Sequence, residues 1–464
     1  MAQFATGMCR AGIAGFLGLV SGQALAVDQH PNIVLIVADD LGYGDVSIQG
    51  ATEFSTPHLD SIAKQGIRFS DGYVSASLCS PSRAGFLTGR YQERFGHEVL
   101  FWNNNSNVGL PVGETTIADR LKEAGYVTGM IGKWHLGKEK PFFPTTRGFM
   151  EFFGDPGHGS PYLPDPQTGK VGGPHNKFYR NEEQVTITNY VTDVYGREAV
   201  DFIQRHKSDP FFLYVAFTAP HHPLQATDEY LSRVSNIRNP KRRTYAAMVL
   251  AMDDWVGRIL DELADCGLED NTIVAFLSDN GSLGPPEGDN GPLRERKGRV
   301  LEGGIRVPFF IKWPAVFSAG KTVEFPVISL DLAPTFFEAA GIPVQPEWAL
   351  DGVNLIPFLT GKNTGAPHDR LFWRYWRTGP NKQLCAVREG EWKLVTPSTP
   401  GSFGEAPGEQ QWRLYRLSDD PGEKQDLSGL YPEKVQQMAA KWNVWNAILK
   451  DPLWYFDPPG SGHE

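Results

Sequence analysis

Continuous apolar runs alternate along this chain with stretches whose apolar positions recur at helical spacing. Asn32-Ile33-Val34-Leu35-Ile36-Val37-Ala38, Tyr126 to Ile131, Phe211 to Phe217 and Thr272 to Leu277 are dominated by apolar residues. Runs of that length predict strands buried on both faces, as in a sheet covered by helices on each side. Between them, Thr56 to Gln65, Thr116 to Ala124, Val191 to His206, Asn239 to Cys266 and Leu330 to Ala340 predict helices. In the longest, Met248, Met252, Val256, Ile259 and Leu263 keep one apolar face, which reads as core. Thr56 is expected to cap its helix, with Pro57 at the first turn. Val307 to Lys312 predicts a further strand. After Gly361-Lys362-Asn363-Thr364-Gly365 the pattern changes to short alternating strands, Leu371 to Arg377, Gln383 to Arg388 and Trp392 to Val395, closed by a helix over Pro432 to Leu449. The predicted class is α/β, with residues 27–365 as a large N-terminal domain and 366–464 as a smaller C-terminal subdomain.

The predicted strands end in polar groups, which is where ligands bind in open α/β sheets. The first ends in Asp39-Asp40, the second leads into Gly132-Lys133-Trp134-His135, the third into Ala219-Pro220-His221-His222, and the fourth into Ser278-Asp279-Asn280-Gly281. Adjacent carboxylates are costly without a cation, and hard cations such as Ca²⁺ take oxygen ligands of this kind. Lys133 and His135 alternate with bulky neighbours, so extended backbone would turn both to one face. A Lys beside a His suits anion binding and proton transfer. The stretch Cys79-Ser80-Pro81-Ser82-Arg83-Ala84-Gly85-Phe86-Leu87-Thr88-Gly89-Arg90 predicts an irregular entry with a helix from about Ser82. That sets a thiol near a helix N-terminus, where anions are favoured. Gly291 to Arg299 reads as a basic, mobile stretch containing Lys297. Residues 153–190, rich in Gly, Pro, His and Asn, read as a long cleft-wall loop with His158, Ser160 and His175 as candidate contacts. Phe101 to Asn107 reads as a polar loop. Trp373, Arg374, Tyr375, Trp376 and Arg377 fit either a basic aromatic lip or a packed seam.

C-x-P-S-R followed by L-T-G-R resembles the signature of the formylglycine-dependent sulfatases of the alkaline phosphatase superfamily. So do D-D after the first strand, G-K-W-H-L-G, A-P-H-x-P, S-D-N-G, and Lys297 ahead of Glu302-Gly303-Gly304-Ile305-Arg306-Val307-Pro308. Leu414-Tyr415-Arg416-Leu417 through Asp420-Pro421-Gly422-Glu423 is similar to the family's C-terminal strand and turn. The landmarks stand in the family's order over nearly the whole chain. The resemblance implies an alkaline-phosphatase-like mixed sheet flanked by helices, with a smaller antiparallel sheet and helix at the C-terminus. It implies that a maturation enzyme oxidises Cys79 to formylglycine, whose hydrate attacks sulfur. Arg83 would hold the hydrate and Arg90 would brace the helix. Asp39, Asp40, Asp279 and Asn280, with residue 79, would hold Ca²⁺ or Mg²⁺. Lys133, His221 and Lys297 would contact sulfate, His222 would stand outside them, His221 or Lys297 would protonate the leaving alcohol, and His135 or a metal-bound aspartate would take the hydrate's second proton. Phosphonate and phosphodiester hydrolases share the nucleophile motif, and a non-catalytic carbohydrate-binding relative is a third reading.

The bulk numbers narrow this further. At 464 residues the chain is long enough for one large and one small domain. A net charge of -10 argues against nucleic acid, while a local basic pocket still permits an anionic substrate. Residues 1–26 read as a signal peptide: Arg10, an apolar core from Ala11 to Val20, and Ala24-Leu25-Ala26 as the cleavage site. The run is shorter than the ~20 residues a membrane span needs, so an exported protein, periplasmic or secreted, is expected. Of the four Cys, Cys266 and Cys385 remain to pair or to stay as thiols. Export, long cleft loops and 12 Trp lean towards a sulfated carbohydrate over an aryl sulfate.

Overall fold

A computed structural model describes residues 1–3, 30–100, 108–173, 177–376, 383–397 and 411–454. In chain order the strands are β1 (Asn32–Ala38), β2 (Ile67–Phe69), β3 (Gly72–Tyr73), β4 (Val127–Lys133), β5 (Glu151–Asp155), β6 (Phe178–Arg180), β7 (Glu183–Val185), β8 (Phe211–Ala216), β9 (Thr272–Ser278), β10 (Phe309–Lys312), β11 (Lys321–Val323) and β12 (Val327–Ile328). After them come β13 (Leu371–Trp376), β14 (Gln383–Glu389), β15 (Trp392–Val395) and β16 (Arg413–Arg416). Ten strands form one mixed sheet in the order β11-β2-β10-β9-β1-β8-β4-β5-β6-β7, and β3 pairs with β12. The four central strands β9, β1, β8 and β4 run parallel, so their carboxyl ends open on one edge.

The apolar runs occupy the sheet centre because both faces are covered. Along β1, Val34, Ile36 and Ala38 face a core shared with the helices Val191–His206 and Pro240–Asp265. Ile33, Leu35 and Val37 face the opposite core. Every residue of β1 is buried, and each large aliphatic side chain buried this way stabilises the fold by about 1.5–3 kcal/mol. Gly132 near the end of β4 has φ 112, and a Cβ there would stand 1.9 Å from the Ala216 carbonyl oxygen, so only glycine fits.

Several local expectations need correction. The helix at the signature motif spans Cys79–Thr88, three residues earlier than expected. Pro81 lies in its first turn, where the missing N–H would have had no intrahelical partner. Thr56 does occupy the N-cap position ahead of Pro57, but its side chain makes no capping bond; its hydroxyl donates to Asp60 at 3.3 Å. By contrast, Thr116 and Asp119 form a reciprocal capping box. Residues 153–190 are not all loop: they contain the end of β5 and the β6–β7 hairpin, which extends the sheet edge. The stretch 291–299 is held in place: Arg294 donates to the Glu423 carbonyl at 2.7 Å, and the Lys297 and Gly298 amides donate to the Ser282 and Ser77 carbonyls.

Strands β13 to β16 form an antiparallel sheet covered by the helix Pro432–Asn446. Its core takes in Tyr73, Leu78, Ile305 and Ile328 from beside the main sheet. Trp373 is buried and donates its indole N–H to the Val74 carbonyl at 2.8 Å. Arg374 pairs with buried Glu98. Of the two readings of this segment, residues 373–376 are therefore packed seam and not a cleft lip, while Arg377 lies outside the described residues. No disulfide joins Cys266 to Cys385. No described helix is long and apolar enough to cross a membrane. The expected signal peptide, the Phe101 to Asn107 loop and His175 lie outside the described residues.

Candidate active site

Four strand ends and one helix N-terminus meet around Cys79. The β1 end supplies Asp39 and Asp40, and Asp40 holds a left-handed backbone with φ 64. Strain of this kind persists at sites where the surroundings over-determine it. The β9 end supplies Asp279 and Asn280. The Asp40 amide donates to Asp279 Oδ1 at 3.3 Å, and Asn280 Nδ2 donates to Asp40 Oδ1 at 2.7 Å, which locks the two strand ends together. Cys79 Sγ stands 3.2 Å from Asp39 Oδ1. Potential ligand atoms of Asp39, Asp40, Cys79 and His221 all lie within 4.8 Å of one another.

Cations surround these carboxylates. Arg83 is fully buried; its Nη2 donates to Asp279 Oδ2 at 2.8 Å and its Nη1 to the Lys133 carbonyl at 2.8 Å. Lys133 Nζ binds Asp39 Oδ2. Lys297 Nζ lies 2.7 Å from Asp40 Oδ1 and 3.1 Å from Cys79 Sγ. Arg83, Lys133 and Lys297 thus balance Asp39, Asp40 and Asp279 in formal charge. Lys297 is buried, against the ordinary tendency of a lysine in a basic loop to be solvated.

Burial and these charges set the protonation states. Burial works against the charged form of Asp39, but Lys133, His221, Arg83 and Lys297 outweigh it and hold the carboxyl well below the usual range. Asp40 is also held low, with Lys297 the main cation acting against burial. Burial, reinforced by the Asp39 charge, pushes Asp279 up to about 7. Burial pushes the Cys79 thiol well up, aided by Asp279 and Asp39. An unmodified thiol here stays protonated and is a poor nucleophile. Burial brings His221 down to about 4 and His135 well below the ordinary histidine value, so both rings are neutral near pH 7.

His135 reaches the site differently from the sequence expectation. It is not in extended backbone: β4 stops at Lys133, and His135 has φ 58. Its ring lies 6.2 Å from that of His158, centroid to centroid. The third strand end delivers His221, whose Nδ1 donates to the His222 carbonyl at 2.7 Å. That contact leaves the Nε2 lone pair turned towards Asp40 Oδ2, 3.7 Å away. His222 faces away, against Glu287 at 2.5 Å. Arg90 ties the end of the Cys79 helix to Glu114 at 2.5 Å. Ser160 is buried, and His158 is within electrostatic reach of Lys133 and Asp39.

Three contacts lay beyond the sequence reading. Tyr214 in β8 accepts from Arg83 Nη1 at 3.2 Å; a hydroxyl in an otherwise apolar run was its only signal. Asp155, beside Lys133 in the β4–β5 register, is pushed up to about 6 by burial. Asp45, in the Gly-rich turn after Asp40, accepts from Tyr245 and Arg242 and so props the Asp39–Asp40 turn.

The Asn280 Oδ1 is buried and has no hydrogen-bond partner. The Asp39 and Asp40 carboxylates, clustered with Cys79 and His221, and the nearby Asn280 amide oxygen are donors that fit a hard divalent cation and not a structural zinc. Both Asp279 oxygens are engaged by the Asp40 amide and Arg83.

A mixed α/β sheet with an appended antiparallel sheet, and a buried residue at a helix start ringed by cations, define a hydrolase of anionic esters with the alkaline-phosphatase-like fold. Comparison with known proteins makes this specific. The sulfatase family model matches residues 31–342, and a second, "N-sulphoglucosamine sulphohydrolase, C-terminal", matches residues 296–445. Human arylsulfatase A is 35% identical across 91% of this chain and 88% of its own length. Human N-acetylgalactosamine-6-sulfatase is 36% identical across 72% of this chain and 67% of its own. Among solved structures, that of Ps i-CgsB in complex with k-i-k-neocarrahexaose superposes with a TM-score of 0.86 at 37% identity, covering 92% of this chain and 95% of the other. The chain belongs to the sulfatase family and is a sulfuric ester hydrolase.

Proposed function

We propose that this sulfatase works through a formylglycine made from Cys79 and a divalent cation, Ca²⁺ or Mg²⁺, and that its substrate is a sulfated carbohydrate met outside the cytoplasm. The observation that carries the reading is the gathering of Lys297, His221, Asp39 and Asp40 at Cys79, with Arg83 and Lys133 both paired with Asp39 and neutral His135 within electrostatic reach of Lys133, Arg83 and Asp39. Residues 1–26 would be removed on export, leaving a catalytic domain over 27–365 and a C-terminal subdomain over 366–464.

A hydrated aldehyde at residue 79 would supply one hydroxyl for attack on sulfur and a second whose deprotonation would re-form the aldehyde and release sulfate. A cation held by Asp39, Asp40, Asp279, Asn280 and residue 79 would add positive charge at the sulfate oxygens. The chain's own residues do the rest. Lys133 and Lys297 place fixed charge where the sulfate oxygens become more negative in the transition state. Arg83 cannot lose its proton and holds the first helical turn against Asp279. Lys297, kept charged by Asp40, is the proton donor to the leaving oxygen. His221, neutral with its Nδ1 proton committed, presents an acceptor at Nε2. His135, also neutral, takes the proton of the second hydroxyl. The carbohydrate assignment is supported by the relatives named for N-acetylgalactosamine-6-sulfate and by the structure bound to k-i-k-neocarrahexaose.

The test is sulfate release by protein co-produced with a formylglycine-generating enzyme. An aryl sulfate, a panel of sulfated oligosaccharides and a phosphodiester are offered, and the mass of the peptide Phe69 to Arg83 is the control for aldehyde. Sulfate from one saccharide class is expected. Turnover of the aryl sulfate alone would overturn the substrate class. Sulfate release equally fast from protein whose Cys79 is unmodified would overturn the formylglycine reading.

A further inference from the structure

His135 is a non-glycine residue in left-handed backbone, φ 58, and it is almost wholly buried. That conformation is unfavourable for a residue with a Cβ, so other contacts must hold it. Two backbone contacts are visible. Its amide donates to the Pro156 carbonyl at 3.3 Å, a long bond. Its carbonyl oxygen accepts from Ser80 Oγ at 2.7 Å. Ser80 is the second residue of the Cys79–Thr88 helix, adjacent to the reacting position. Behind Ser80 stands His97, with Nε2 2.6 Å from the same hydroxyl. Trp454 packs on the His97 ring edge-on, at 5.0 Å between centroids.

The proton positions follow from chemistry. A carbonyl oxygen only accepts, so the single Ser80 proton must lie towards His135 for a 2.7 Å contact to be favourable. On the other side the same hydroxyl is held 2.6 Å from His97 Nε2, so Ser80 stands fixed between the His97 ring and the His135 carbonyl. Ser80 and His97 are buried without exposed surface, so water does not replace either bond.

We propose that Ser80 is a positioning residue for His135: its hydroxyl, oriented by His97, fixes the left-handed backbone that aims the His135 imidazole into the site. This rests on the reading of His135 as a proton acceptor. Neither side chain needs to touch substrate. Ser80→Ala should lower kcat about tenfold to a hundredfold, the range expected when a reacting group is misplaced by about 1 Å, with KM little changed. Ser80→Thr keeps the hydroxyl and should restore most of the loss.

The deciding experiment is the cycle of wild type, Ser80→Ala, His135→Ala and the double variant, each normalised to its formylglycine content by peptide mass. Sulfate release from the best substrate is followed. If Ser80 acts through His135, Ser80→Ala costs nothing further in the His135→Ala background. His97→Leu should likewise add nothing to Ser80→Ala. Losses that multiply in the double variant, or a Ser80→Thr as slow as Ser80→Ala, would overturn the proposal. Full turnover by His135→Ala is a separate result and would sink the proton-acceptor reading itself.

Discussion

Lys393 tests whether the C-terminal sheet is locked to the segment carrying Lys297. Its Nζ lies 2.8 Å from Glu302 Oε1 and 3.0 Å from Glu423 Oε1, and all three side chains are fully buried. Glu302 opens the E-G-G turn after Lys297, and its amide donates to Glu423 at 2.6 Å. Lys393→Met keeps the unbranched stem, one atom shorter, and removes the cation. Removing one partner of a buried ion pair costs about 3–5 kcal/mol. With an unfolding entropy of about 2.1 cal/mol/K per residue, a 464-residue chain loses about 1 kcal/mol per degree. The expected drop in Tm is then about 3–5 °C at pH 7.

The pH dependence makes the test sharper. Burial raises Glu423 to about 7 even with Lys393 present. Burial acts on Glu302 too, but Lys393, Arg306 and Arg388 hold it at about 2. Without Lys393 both folded-state values rise, so the folded variant binds more protons than the folded wild type. Stability then falls more steeply with rising pH in the variant. The deficit should be larger at pH 8 than at pH 5. Scanning calorimetry and urea titrations at both values measure it. A deficit equal at the two pH values, or none at all, would refute the argument that Lys393 neutralises buried carboxylates.

Other outcomes follow from the site. Lys297→Ala removes a cation 2.7 Å from Asp40 and should lower kcat about 10²–10³-fold, as for loss of one preorganised charge donor; an unchanged kcat excludes it from the reaction. Chelation should abolish sulfate release, and Ca²⁺ or Mg²⁺ should restore it; full activity in excess chelator would remove the metal from the reading. Asn280→Ala deletes the unpartnered Oδ1 and should weaken Ca²⁺ binding at least about tenfold by calorimetry, an effect of the size seen when a metal site loses a supporting contact.

The sequence was informative wherever chemistry and periodicity are local. Short apolar runs that end in polar or turn residues favour strands covered on both faces, so β1, β4, β8 and β9 and the polar groups at their ends were legible. The helix bounds at Val191–His206 were legible for the same reason. Asp39, Asp40, Cys79, Arg83, Lys133, His135, His221, Asp279, Asn280 and Lys297 could be singled out as candidates, since each sits in a short local motif. Tertiary structure decided everything that depends on what lies across a gap. Lys297 is a solvated charge by composition, yet it is buried because Asp40 waits 257 residues earlier. Trp373 and Arg374 could have lined a cleft, but the Val74 carbonyl and Glu98 claim them. His135 looked like one more residue of a strand, and the Ser80 hydroxyl and the Pro156 carbonyl show it turned out of that strand. Burial is the physical reason for the division: the cost of a charge or a strained backbone is set by neighbours that only the folded chain brings together.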